Sequence, residues 1–266
     1  MAANQDVKNV LQQVGRLENF LNREKFQPAT ASYRTAVLLP LLSKALTVGR
    51  AVCALVQAGF CAEAFATTRT VIEIFFTVRY ITNKETEKRA ERYVKYHAKV
   101  STEWMKSIRQ YLPDMVEKLR PLDAQIMKNA EVFDSRARWA GPGVTAKTMA
   151  HEEDSFEYKE DGKGINTAFA YDTSYFATSQ YVHATVEALG AHYSEPGKIF
   201  RVRMHASEEL FLGQKALFIA GVHITKSFVC ALRCMNVAQP IAMKNLLTTV
   251  TKIARKDVAR RKSKGN

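Results

Sequence analysis

Residues that punctuate or staple small folds are scarce in this chain, whose 266 residues include only four cysteines, 12 glycines and seven prolines. Collagen-like, low-complexity and disulfide-scaffold classes are excluded on that ground. Cys53, Cys61, Cys230 and Cys234 all lie in apolar stretches, where a reduced thiol behaves as a small hydrophobe, so the expected compartment is a reducing cytoplasm. Long uncharged runs are also missing. Ala51–Ala62 is closed by Arg50 and Glu63, and Ala216–Thr225 by Lys215 and Lys226. Both fall short of the roughly 18 residues a membrane span needs, so they are expected as buried core helices, with no transmembrane segment. Residues 1–22 show none of the basic-then-apolar order of an export leader.

Chemical fingerprints are missing too. There is no Walker loop, no dinucleotide glycine motif and no pair of Cys-x-x-Cys motifs, and Cys230-x-x-x-Cys234 offers too few ligands for zinc. His151-Glu152-Glu153 has no second histidine at helical distance, so the metal-binding helix motifs fail. Neither a metal site nor a cofactor is expected.

What is present is apolar material, 47% of the chain, recurring at three- and four-residue steps. The spacing predicts an all-α helical bundle of about seven to eight helices. Helices are expected over about 4–22, 32–58 (with Pro40 inside), 61–82, a fourth capped by Asn83 and ending near Tyr111, 114–133, a short one at 145–151, then 166–192, 207–235 and 242–261. The fourth should carry an apolar stripe of Tyr93, Val94, Tyr96, Trp104, Met105 and Ile108. One domain is expected: an N-terminal bundle (1–135), a Gly/Pro and acidic loop (136–165), a helical hairpin (166–241) and a basic C-terminal helix and tail (242–266).

Net charge is +13, and about half of it is local. The last 26 residues carry Lys244, Lys252, Arg255, Lys256, Arg260, Arg261, Lys262 and Lys264 against Asp257 alone. Lys252, Arg255, Lys256, Arg260, Arg261 and Lys262 form a candidate nucleic-acid contact, acting through salt-sensitive electrostatics. A solubilising, frayed terminus is the alternative.

Three sets of polar residues stand inside otherwise apolar helices. Arg69 and Glu73, four apart, share a helix face as an internal ion pair or as an anion site facing a cleft. Tyr171, Tyr175, Ser179 and His183 come at successive four-residue steps, a stripe in which histidine could move a proton beside arginines and without metal. Ser179 and His183 lack the third group and oxyanion motif that a Ser-His hydrolase needs. Arg92 and His97, the third set, resemble the Arg-x(4–6)-His signature of HEPN ribonucleases, all-helical and commonly dimeric proteins that cleave RNA without metal. Five steps of about 100° leave the two residues roughly 140° apart on the helix wheel, and a solvated helix face is the alternative.

Leu55-x-x-x-Gly59, Ala64-x-x-x-x-Arg69-x-x-x-Glu73, Glu91-Arg92-Tyr93, Trp139-x-Gly141 and Tyr171-x-x-x-Tyr175-x-x-x-Ser179-x-x-x-His183 together resemble an uncharacterised bacterial helical family, domain-of-unknown-function family 5677, over about residues 45–190. The resemblance implies that Arg69, Glu73, Arg92, Trp139, Tyr175, Ser179 and His183 converge on one polar pocket between the third, fourth and sixth long helices. It supplies no reaction, and His97 is not among its positions. The resulting expectation is a cytoplasmic homo-oligomer whose Arg/Glu/Ser/His pocket binds RNA or another phosphate-bearing ligand. It would act as a metal-independent ribonuclease in stress or phage defence. The competing expectation is a noncatalytic nucleic-acid-binding or scaffold protein that uses its basic tail.

Overall fold

The computed structural model describes residues 2–23, 32–112, 114, 139–152, 167–183, 193–194, 201–202 and 210–264. It is all-α, as the apolar periodicity predicts. The helices are α1 (Ala2–Arg23), α2 (Tyr33–Gln57), α3 (Cys61–Asn83), α4 (Thr86–Tyr111), α5 (Ala146–His151), α6 (Thr167–Ala170), α7 (Phe176–Val182), α8 (Leu210–Cys234) and α9 (Ile241–Lys264). A two-residue antiparallel pair, Tyr193–Ser194 with Arg201–Val202, is the β-structure among the described residues. The segment expected as a fifth helix (114–133), apart from Asp114, lies outside the described residues, as does part of the expected Gly/Pro and acidic loop (136–165), of which 139–152 are described and include α5.

Helix α3 is the axis of the molecule, packed against α2, α7 and α8, while α1 and α9 close the far side of α2 and α8. Its sequence explains the position. Apolar residues take up most of its circumference, with Phe65, Ile72, Phe76 and Ile81 fully buried, while a polar stripe that includes Glu63, Thr70 and Glu73 faces out, so neighbouring helices have to cover the rest. Helix α1 buries Val7, Val10, Val14 and Leu17 at three- and four-residue spacing, with Asp6 and Gln13 beside them, the pattern of an outer helix. At the start of α2, Ser32 accepts a hydrogen bond from the Thr35 amide, and Glu87 accepts from the Tyr33 amide at 2.6 Å. That carboxylate sits where the helix dipole favours negative charge. Helices α8 and α9 meet at Gly221, where an added Cβ would lie 2.4 Å from the Val250 side chain, so the closeness of this seam depends on the missing side chain.

Two expectations need correcting. Asn83 does not cap α4: α3 runs through it, and its side chain bonds to Glu152. The cap position falls to Glu85, which takes the left-handed conformation at φ 43°. The expected apolar stripe of α4 is also split, with Met105 and Ile108 buried but Val94 and Trp104 exposed. By length and composition α2 and α8 are apolar enough to cross a membrane, with mean hydropathy 1.5 and 1.4, and 50% and 72% of those stretches are buried against other helices.

Candidate functional site

A break in helical regularity positions the site. Helices α6 and α7 run on from one another through a π-wound turn, Tyr171–Tyr175, in which the Phe176 amide reaches back to the Tyr171 carbonyl. One extra residue in the turn widens it and re-phases the helix beyond it. Tyr171 and Tyr175 stack with ring centroids 5.0 Å apart, and both pack on Phe76 of α3. This aromatic anchorage brings Tyr175 and His183 to Arg69.

Arg69 is the hub. Its Nε donates to Glu73 Oε1 at 3.0 Å, Nη2 donates to the Tyr175 hydroxyl at 3.0 Å, and Nη1 lies 3.0 Å from His183 Nε2. The Tyr175 hydroxyl in turn donates to Glu73 Oε1 at 3.1 Å. A guanidinium only donates, so His183 Nε2 is the acceptor and its ring proton sits on Nδ1. Among the described residues three of the five guanidinium N–H groups are engaged, which leaves two for a ligand. The Arg69 side chain is 21% exposed and that of Glu73 46%, so the cluster opens to solvent.

The electrostatics keep each group in a defined state. Partial burial works against the charge on Arg69, but the Tyr175 hydroxyl and the Glu73 carboxylate outweigh it and hold its pKa above the ordinary value. Burial, reinforced by the Glu73 charge, pushes the Tyr175 phenol above its usual range despite the opposing pull of Arg69. Tyr175 therefore remains a neutral donor. The arrangement offers a fixed cation, a phenol donor, a carboxylate and an unprotonated ring nitrogen within one hydrogen-bonded group.

The remaining sequence-predicted residues divide. Ser179 lies on the same rod, but its hydroxyl donates to the Tyr175 carbonyl at 2.7 Å, so no Ser179–His183 nucleophile pair forms. Tyr171 supports Tyr175 and faces His151 edge-on. Arg92 and Trp139 are not in this cluster. Trp139 packs edge-on against Tyr80 and Tyr93, with centroids 5.6 and 4.9 Å away, and Arg92 lies against Gly141. Tyr80 is eleven residues beyond Arg69, about 16 Å along α3. The single convergent pocket implied by the resemblance is thus two separate clusters, one around the middle of α3 and one near its C-terminal end. The His97 side chain lies outside the described residues, as do those of Arg260, Arg261 and Lys262. Lys252, Arg255 and Lys256 are exposed on α9, and Lys256 pairs with the buried Asp6 at 3.0 Å.

Sequence reasoning missed the core of the second cluster. Arg89 forms a two-pronged pair with Glu152, at 3.0 and 2.7 Å, and its guanidinium lies 3.7 Å from the Tyr80 ring centroid. Buried Arg79 donates to the carbonyls of Met149 and Glu152. Burial raises the Glu152 pKa, but the Arg89 and Asn83 hydrogen bonds overcome this and hold it below the usual carboxylate range.

With two clusters on one central helix in place, the comparisons become informative. The model of a family of unknown function (DUF5677) matches residues 35–199, from α2 through both clusters. The chain belongs to this family. The match covers Arg69, Glu73, Arg92, Trp139, Tyr175, Ser179 and His183 and leaves α1, α8 and α9 outside. No curated protein and no solved structure matches the chain. The comparisons give no support to the HEPN-like reading of Arg92 and His97. Among the described residues, no group of three His, Cys, Asp or Glu side chains is placed to hold a metal ion.

Proposed function

We propose that the Arg69 cluster binds a phosphodiester and cleaves RNA without metal. The observation that carries this reading is the 3.0 Å contact between Arg69 and an acceptor nitrogen of His183, which puts a proton acceptor directly beside an anion-binding cation. When a phosphate takes the guanidinium, His183 Nε2 is released from Arg69 and accepts the proton of the ribose 2′-hydroxyl. The 2′-oxygen bonds to phosphorus, the bond from phosphorus to the 5′-oxygen breaks, and His183 returns the proton to that leaving oxygen. The products are a 2′,3′-cyclic phosphate and a free 5′-hydroxyl. Arg69 and the Tyr175 hydroxyl hold the charge that develops on the phosphoryl oxygens. The reading places the protein in the cytoplasm, where its four cysteines remain free thiols.

The test is incubation of single-stranded RNA with purified protein in EDTA. Cleavage to cyclic-phosphate ends is expected, reduced about 100-fold or more in His183→Ala and similarly in Arg69→Gln. Intact RNA with the wild-type protein would refute it.

A second reading has its own observation: Lys252 and Arg255 are exposed on α9 and can attract nucleic acid without catalysis. Val250 and Ile253 on the same helix are buried, so charge reversal, Lys252→Glu with Arg255→Glu, is a cleaner test than truncation. Loss of all RNA affinity in that variant, with no turnover in the parent, is the outcome that favours it.

A further inference from the structure

Beyond the Arg69 cluster, a cleft of about 80 Å³ opens near the C-terminal end of α3, lined by Tyr80, Glu85, Lys88, Arg89, Arg92, Trp139 and Ala140. Its three cations differ in availability. Arg89 is committed to Glu152 and stacked on Tyr80. Lys88 pairs with Glu85 at 3.1 Å, but both side chains are largely exposed, at 65% and 59%, and a pair so open to water is easily exchanged. Arg92 is partly buried and forms no hydrogen bond or ion pair among the described residues. It lies flush against the backbone at Gly141, where φ is +121° and an added Cβ would sit 3.3 Å from Nη2. Glycine suits both that backbone conformation and the close approach of the guanidinium.

We propose that this cleft binds a phosphate monoester, with Arg92 and Lys88 facing the dianion and Trp139 forming its aromatic wall. Two exchangeable cations match a group that carries close to two negative charges at neutral pH. The free planar fork of Arg92 suits two phosphoryl oxygens at once, and Lys88 supplies a mobile point charge. Glu85, the carboxylate in the lining, remains in water when Lys88 turns inward. The volume admits the phosphoryl group and leaves the rest of the ligand outside. The proposal stands on this cleft alone and does not depend on the chemistry assigned to Arg69.

The chain has two tryptophans, and Trp104 is 55% exposed, so Trp104→Phe leaves Trp139 as the only indole reporter. In that background, phenyl phosphate and a short 5′-phosphorylated oligonucleotide are titrated against Trp139 fluorescence, with the 5′-hydroxyl oligonucleotide as control. A saturable change is expected with the phosphorylated probes and none with the control. Arg92→Gln should weaken binding at least tenfold and Lys88→Gln about threefold, while Arg69→Gln leaves phenyl phosphate binding unchanged. Tighter binding of the oligonucleotide identifies a nucleic-acid end as the source of the phosphate, and equal or weaker binding identifies a small phosphorylated molecule. The proposal is overturned if neither phosphorylated probe gives saturation, or if Arg92→Gln and Lys88→Gln both bind like the parent.

Discussion

Two regions of α3 use arginine in opposite ways. Near Asn83, Arg79 and Arg89 commit their N–H groups to the carbonyls of Met149, Glu152 and Tyr80 and to both oxygens of one carboxylate. These partners hold α5 against α3 and α4, and none of the carbonyls can titrate. Nearer the middle of the helix, Arg69 is shared among a carboxylate, a phenol and an imidazole that are partly open to water. The first arrangement is a lock and the second is poised for exchange. The same side chain serves structure or chemistry according to what surrounds it.

The largest expected effect tests the lock. Glu152→Ala leaves Arg89 unpaired where the two side chains are only 12% and 18% exposed, and should cost about 3 kcal/mol in urea unfolding. A cost no greater than that of Arg69→Ala would erase the contrast. Acid sharpens it: the Glu152 carboxylate has a folded pKa below its unfolded value, so its contribution is present above the ordinary carboxylate range and lost as pH falls through the folded value. In Glu152→Gln that low-pH loss should disappear from the pH profile of the urea midpoint.

Midway along α3, Phe75 meets the fully buried ring of His223, whose pKa burial pulls down to about 4 against the opposing hydrogen bond to the Ile219 carbonyl. The unfolded chain binds this proton near pH 6.5, so stability is full above that value and declines as pH falls toward 4, by about 3 kcal/mol at most. His223→Leu should flatten the decline between pH 6.5 and 4. Smaller effects belong to the poised region. Tyr175→Phe removes one partly exposed hydroxyl network and should cost about 1 kcal/mol. His183→Ala should change unfolding free energy by less than about 0.5 kcal/mol, because the residue is exposed. A larger loss would make His183 a structural residue.

Much of this was legible because it is local. The Arg69–Glu73 pair is set by a four-residue spacing on one helix. The stripe of Tyr175 and His183 was visible too, although nothing in its residue types showed that Ser179 would turn to its own backbone. The split into two clusters was not legible. It depends on distance along α3, whereas short motifs carry only order. The Arg89–Glu152 pair spans 63 residues of chain, and the role of Asn83 is set by that same distant carboxylate rather than by its suitability as a cap. Side-chain type suggests what a residue can do, but long-range pairing decides which partner it meets.

The wide turn at Tyr171–Tyr175 makes local winding a setting for the Arg69 group. Rewinding these residues as ordinary α-helix without shortening the chain would swing everything after them by about 100°, carrying His183 away from Arg69 while Tyr171 kept its seat on Phe76. A one-residue deletion that removed the bulge would instead keep the bearing, since four residues of ordinary helix sweep about the angle that five sweep in the wide turn.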